Sequence, residues 1–370
     1  MLFGWPSNDG AVGWYRVRQP LSVLNEQGYQ CAWSQRLPKE LRPDLYGGKR
    51  ALKQRVTLLA QMVAGGTNGE WFRALAREGQ RVFYEIDDDI FHIDPSNPAH
   101  EEMTHPDYIA GVSANLAAAT GVIVTRKALA AVVHEHTDAP VYIIPNYVPA
   151  WLCDFRHPKH PTKHEKPSDT LLQRRWRQEA VCVGWAGSGF HTMDWERFTP
   201  RLIQWVNRNP HAILDVMGQP QYLAAYANEL PVGRVTGKGW IGEVEEFYRN
   251  IDFDIGLIPL KQHPFNESKS WIAALIYAAL GIPVVASDVG PYHDFVLHGE
   301  TGFLFTTPGE MAGYLDALTR DPELRATMGA NARAVARAHT YEANAWKWAK
   351  VLLEEVHGDN EDLDSGALAH

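Results

Sequence analysis

The stretch "NESKSWIAALIYAALGIPVVASDVGPYHDFVLHGETGFLF", residues 266–305, decides the fold. Polar residues suited to capping open it, an apolar helix follows, and Gly281 and Pro283 stop that helix before a buried strand. A helix over 268–280, a strand over 283–287 and a further strand over 302–305 form a repeating unit of a parallel α/β sheet. The apolar run 271–287 is too short, and too broken by Gly281 and Pro283, to span a bilayer.

Working outward, short apolar runs alternate with helix-length amphipathic stretches on both sides. Between 180 and 305 the pattern predicts further strands over 180–186, 212–218, 233–236 and 253–259. Helices are predicted over 195–208, 219–229, 242–250 and, beyond the last strand, 308–319. Upstream, strands are predicted over 1–5, 56–63, 81–86, 121–125 and 141–145, with helices over 14–27, 69–79, 107–119 and 126–135. At 370 residues the chain is too long for one core. The expected architecture is therefore α/β, with two doubly wound Rossmann-like domains facing across a cleft. The first occupies 1–148 and the second 177–339. Between them, 149–176 is rich in Pro, His and Lys and reads as a linker or basic loop, while the acidic 358–370 reads as a flexible tail.

Composition narrows the function classes. Hydrophobic residues make up 45% and charged residues 21%, as in a soluble globular protein. Cys31, Cys153 and Cys182 are odd in number and lack metal-ligand spacing, which argues against a disulfide framework or a zinc site. The first ten residues lack the basic-then-apolar pattern of a secretory signal, so a cytoplasmic protein without an integral membrane segment is expected. A net charge of −9 gives no global pull toward nucleic acid. Basic stretches at 49–55, 156–166 and 174–178 are either solvated loops or a local phosphate-contacting surface.

Open α/β sheets bind ligands beyond the carboxyl ends of their strands. "RVFYEIDDDIF", 81–91, places Asp87, Asp88 and Asp89 in such a loop. Ser268, Lys269 and Ser270 are expected at a helix N-terminus, where free N–H groups favour an anion such as phosphate. Gly290, after the strand that follows, lets backbone approach a ligand closely.

The 266–305 stretch resembles the nucleotide-sugar-binding segment of retaining, family-4-like glycosyltransferases of the GT-B fold, in a bacterial and phage branch. "VGWAGSGFHTMDW" (183–195), "GAVGWYRVRQPLSVLNEQG" (10–28), "EIDDDIF", "IVTRKALA" and "IIPNYV" resemble that branch in the same order. The resemblance implies a sugar transferred from a nucleotide-diphosphate donor to a hydroxyl acceptor with retention of configuration. The acceptor would be a glycan, a protein or a modified DNA base. It also implies a terminal helix, 340–357, crossing back onto the first domain, and no metal or other cofactor. Gly187, Ser188 and His191 would line the donor diphosphate, together with Lys269, Ser270, Gly290 and Tyr292. Gly13 and Arg16 would close over it from the first domain, and Asp87, Asp88 or Asp89 would address the sugar or the acceptor nucleophile.

The sequence departs from the family where a glutamate usually holds the ribose hydroxyls: that position is Ile276. A lysine common three residues earlier is replaced by Ala273, and Glu267 is one residue too early for the first of the paired glutamates. A degenerate, non-catalytic binding protein of this fold therefore stands as an alternative. For the aspartates, other readings are a divalent-cation site, a turn cap, or an Asp-x-Asp phosphohydrolase drawing on Thr125, Lys269, Asp288 and Asp294.

Overall fold

The structure is a computed structural model that describes residues 1–354 apart from 9, 43–54, 64–65, 157–179, 219–225 and 232. Almost all of the basic stretches, most of the 149–176 connection and the acidic tail lie outside the described residues.

The described strands form two six-stranded sheets in which every pairing is parallel. The first holds β1 (Leu2–Trp5), β2 (Cys31–Trp33), β3 (Thr57–Gln61), β4 (Arg81–Glu85), β5 (Gly121–Val124) and β6 (Val141–Ile143), in the order β2-β1-β3-β4-β5-β6. The second holds β7 (Val181–Gly187), β8 (Ala212–Gly218), β9 (Val235–Lys238), β10 (Ile255–Ile258), β11 (Val284–Ser287) and β12 (Gly302–Phe305), in the order β12-β11-β10-β7-β8-β9. Helices cover both faces, so β1, β3, β5 and β8 are buried along every residue and read as continuous apolar runs. The edge strands β2 and β9 are partly exposed, and sequence patterning missed β2 because a sheet edge asks for no apolar run.

Strand order reverses between β1 and β3 in one sheet and between β7 and β10 in the other. Crevices open at these points, and the loops after β1, β7 and β10 lead into them.

The helix that opens the deciding stretch is shorter than its pattern predicted. Pro264–Glu267 forms its own helical turn, and the long helix runs only over Ile272–Leu280. His263 Nδ1 accepts from Phe265 N–H, and Ser270 Oγ accepts from Ile272 N–H, so capping divides the segment in two. Gly281 ends the helix with φ 71°, a conformation that favours glycine. In the predicted helix 219–229, residues 227–229 form a single 3₁₀ turn and 219–225 lie outside the described residues.

The chain's last described helices, Tyr341–Asn344 and Trp346–Leu353, return to the first sheet and pack on helix Gln19–Glu26. Tyr341 Oη donates to the Tyr15 carbonyl at 2.9 Å, and Lys347 Nζ donates to Tyr147 Oη at 2.8 Å. Trp14, Tyr15, Tyr147, Tyr248, Tyr341 and Trp348 meet edge to face or tilted, and join the two halves.

Candidate functional site

Strand β4 delivers three consecutive aspartates, and each meets a different fate. Asp89 is fully buried: its Oδ1 accepts from the N–H groups of Phe91 and His92 at 3.0 and 3.2 Å, and Oδ2 pairs with His92 Nδ1 at 2.8 Å. This is a turn cap, which corrects the expectation that Asp89 addresses a substrate. Asp88 is 41% exposed and lies 3.7 Å from Lys269 Nζ of the second domain. Asp87 stands between them. Removal from water pushes its carboxyl well up, repulsion from Asp88 and Glu85 adds to this, and Arg16 and Lys269 oppose it.

Across the cleft, Lys269 lies with Nζ 4.4 Å from the centre of the Phe265 ring. It does not sit in the first turn of the long helix, as expected, but in the joint before it. Arg126, just after β5, fixes that joint from the first domain: Nη1 donates to the Glu267 and Lys269 carbonyls at 2.8 and 3.0 Å, and Nη2 donates to Asp294. Sequence reasoning missed Arg126, although "IVTRKALA" contained it, because a single arginine after a strand carries no local signal of its partner. Asn146 Nδ2 donates to Ser270 Oγ at 3.0 Å, a second tie across the cleft.

The turn after β7 supplies the opposite wall. Gly187, Ser188 and His191 line a cavity of about 230 Å³ between the domains. Ala11 and Tyr15 close it from the first domain, and Ile272, Ala273, Ile276 and Tyr277 form its floor. Tyr277 Oη accepts from Ala186 N–H at 2.9 Å, joining floor to turn. His191 Nδ1 pairs at 2.9 Å with the buried Asp194, whose other oxygen accepts from Lys261 N–H and Asn266 Nδ2. Asp194 therefore locks the orientation of His191 to the loop after β10. A second cavity, of about 380 Å³, lies beyond Asp194 against Lys261, Ser287 and Asp288. At its edge Asp94 of the first domain meets Lys261 Nζ at 3.0 Å; hydrogen bonds from Ser96 and then Lys261 hold the Asp94 carboxyl below the usual range.

The remaining predicted residues are packed against the protein's own groups. Arg16 is fully buried, with Nε 2.5 Å from Glu85 Oε1 and Nη1 donating to the Pro145 carbonyl and to Asn146. Its Nη2 and Glu85 Oε2 are buried without a hydrogen-bond partner. Gly13 is glycine because a Cβ would come 2.3 Å from the Asn8 carbonyl oxygen. At Gly290 a Cβ would come 2.8 Å from Glu267 Cα, so the backbone it admits is the protein's own. Tyr292 is buried, 4% exposed, and its phenol is pushed up by that burial. For the phosphohydrolase reading, Thr125 is fully buried, Asp294 is held by Arg126, and Asp288 pairs with His293 at 2.7 Å. No group of three or more His, Cys, Asp or Glu among the described residues is placed to hold a metal ion. No helix among them is long and apolar enough to cross a membrane, and none of Cys31, Cys153 and Cys182 is in a disulfide.

Residues 190–321 match the family model described as Glycosyl transferases group 1. The match lies within the second domain. Among solved structures, the chain is similar to a sucrose-phosphate synthase from Thermosynechococcus elongatus at 17% identity and TM-score 0.67, over 95% of this chain and 98% of that one. HepE of Anabaena, solved in complex with UDP and glucose, is similar at 15% identity and TM-score 0.62, over 95% and 99%. WaaG, a glycosyltransferase involved in lipopolysaccharide biosynthesis, is similar at 15% identity and TM-score 0.57, over the same shares. These likenesses show the fold, two facing Rossmann-like domains of the GT-B arrangement. A search of curated proteins gave no match.

Proposed function

We propose that this group 1 glycosyltransferase fold transfers a sugar from a nucleotide-diphosphate donor to a hydroxyl acceptor with retention of configuration, without a metal. The carrying observation is that Lys269 reaches Asp88 from the opposite domain, just before Ile272 begins the floor of a cavity walled by Gly187, Ser188 and His191. The donor diphosphate lies between the β7 turn and Lys269, which offsets the charge developing on the leaving group. The sugar then projects toward Asp87 and Asp88. The negative charge of Asp88 favours an oxocarbenium-like transition state, and both carboxyls accept from sugar or acceptor hydroxyls. A solved complex with UDP and sugar in a protein of like fold supports this reading. The basic stretches that suggest a DNA acceptor lie outside the described residues, so the acceptor is proposed only as hydroxyl-bearing.

Steady-state kinetics of two variants test the assignment. Lys269→Ala should raise the donor KM about tenfold, and Asp88→Ala should lower kcat more than it raises KM. Unchanged kinetics in both would remove these roles. The apolar cavity floor at Ile276 favours the second reading, a non-catalytic binding protein. Slow hydrolysis of donor without acceptor would exclude that reading, whereas its absence alongside nucleotide binding would support it.

A further inference from the structure

The cavity between the domains has an uneven chemistry. Its polar end is the turn of Gly187, Ser188 and His191, and its walls include Ile241, Val244 and Phe247 besides the helix floor. Among the described residues that line it there is no aspartate, glutamate, asparagine or glutamine, and Val244, Ile276 and Tyr277 are almost out of water. Ligand hydroxyls placed on this floor meet no side-chain carboxylate or amide. Tyr277 offers only its phenol, whose oxygen already accepts from Ala186 N–H, leaving one proton to give.

With the diphosphate at the turn, the pentose is the next group of the donor. It falls within one helical turn of Tyr277, over Ile276 and Ala273. A ribose brings two vicinal hydroxyls, each needing an acceptor for its proton. A 2′-deoxyribose leaves one such proton without an acceptor instead of two, and the Tyr277 phenol can donate to that hydroxyl's oxygen. A hydroxyl buried without a partner weakens binding, although an apolar pocket rejects an added hydroxyl only moderately.

We infer that the cavity selects a 2′-deoxyribonucleoside diphosphate sugar as donor, because its floor of Ile272, Ala273 and Ile276 fits a pentose lacking the 2′-hydroxyl. This rests on the nucleotide-sugar transferase reading above. Ile276 and Ala273 then determine specificity through the pentose they accept.

The test is calorimetric titration of the whole protein with paired diphosphates: UDP and dUDP, GDP and dGDP, ADP and dADP, CDP and dCDP, with dTDP added. For the base that binds, the deoxy member should bind roughly tenfold more tightly. Ile276→Glu, which adds an acceptor at the floor, should narrow or reverse the ratio; should that variant fail to fold, the wild-type ratio decides alone. A ribonucleotide binding as well as or better than its deoxy partner would overturn the inference and leave the transferase reading intact. Failure of every diphosphate to bind at millimolar concentration would overturn the transferase reading itself.

Discussion

Three adjacent aspartates occupy one strand end, yet burial and partners give them unlike chemistry. Asp89, with every contact inside its own turn, is a stability residue: Asp89→Ala should lower unfolding free energy by roughly 2 kcal/mol in urea denaturation, with the m-value unchanged. Asp87 should behave in the opposite sense. Its carboxyl is raised in the folded protein, so above the unfolded value of about 3.9 the native state keeps a proton that the unfolded chain has released. Stability therefore falls as pH rises from that value to the folded one. Asp87→Asn should remove this loss, so the variant gains on the wild type as pH increases through the window. Denaturation midpoints from pH 4 upward check this, and a difference between variant and wild type that stays constant across the window would contradict it. The trio itself was plain in the sequence. Which member faces the cleft was not, because it depends on His92 turning back to Asp89 and on Lys269 reaching Asp88 from 181 residues downstream.

At the scale of elements, the helix Ile272–Leu280 carries the cavity floor, and its position is set by packing behind it. Gly329 of helix Pro322–Arg337 sits where a Cβ would come 2.2 Å from the Gly281 carbonyl oxygen. Gly329→Ala must push the two helices apart and should cost about 1–3 kcal/mol, read as a lowered denaturation midpoint. The parallel strands were legible because burial on both faces leaves long apolar runs, as in β8. Element ends were less so. The early start predicted for this helix, at 268, missed the turn at Pro264–Glu267, since both pieces carry acceptable helix formers and only the caps at His263 and Ser270 separate them. Edge strand β2 and the role of Arg126 escaped for a related reason: both are defined by neighbours distant in sequence.

At the scale of the whole molecule, the two domains share a buried aromatic and aliphatic cluster, and directional polar contacts cross between them at the cleft. Arg126 holds the Glu267 and Lys269 carbonyls and Asp294, Asp94 holds Lys261, and Asn146 holds Ser270. Such ties orient the joint bearing Lys269 more than they add cohesion. Arg126→Ala should widen the interdomain angle, seen as a larger radius of gyration in solution scattering, and lower kcat/KM about tenfold or more. An unchanged radius with unchanged kinetics would deny Arg126 this part. The central claim is that the interdomain cavity holds a nucleoside diphosphate without metal, and thermal unfolding with a chelator present tests it most directly. Ribo- and deoxyribonucleoside diphosphates would each be added in turn. A ligand at a hundred times its dissociation constant stabilises the native state by about 2.7 kcal/mol, enough to raise Tm by several degrees. The account predicts such a rise for one base class, about halved in Lys269→Ala at the same ligand concentration; no rise with any nucleotide, or a rise only when divalent cation is restored, would contradict it.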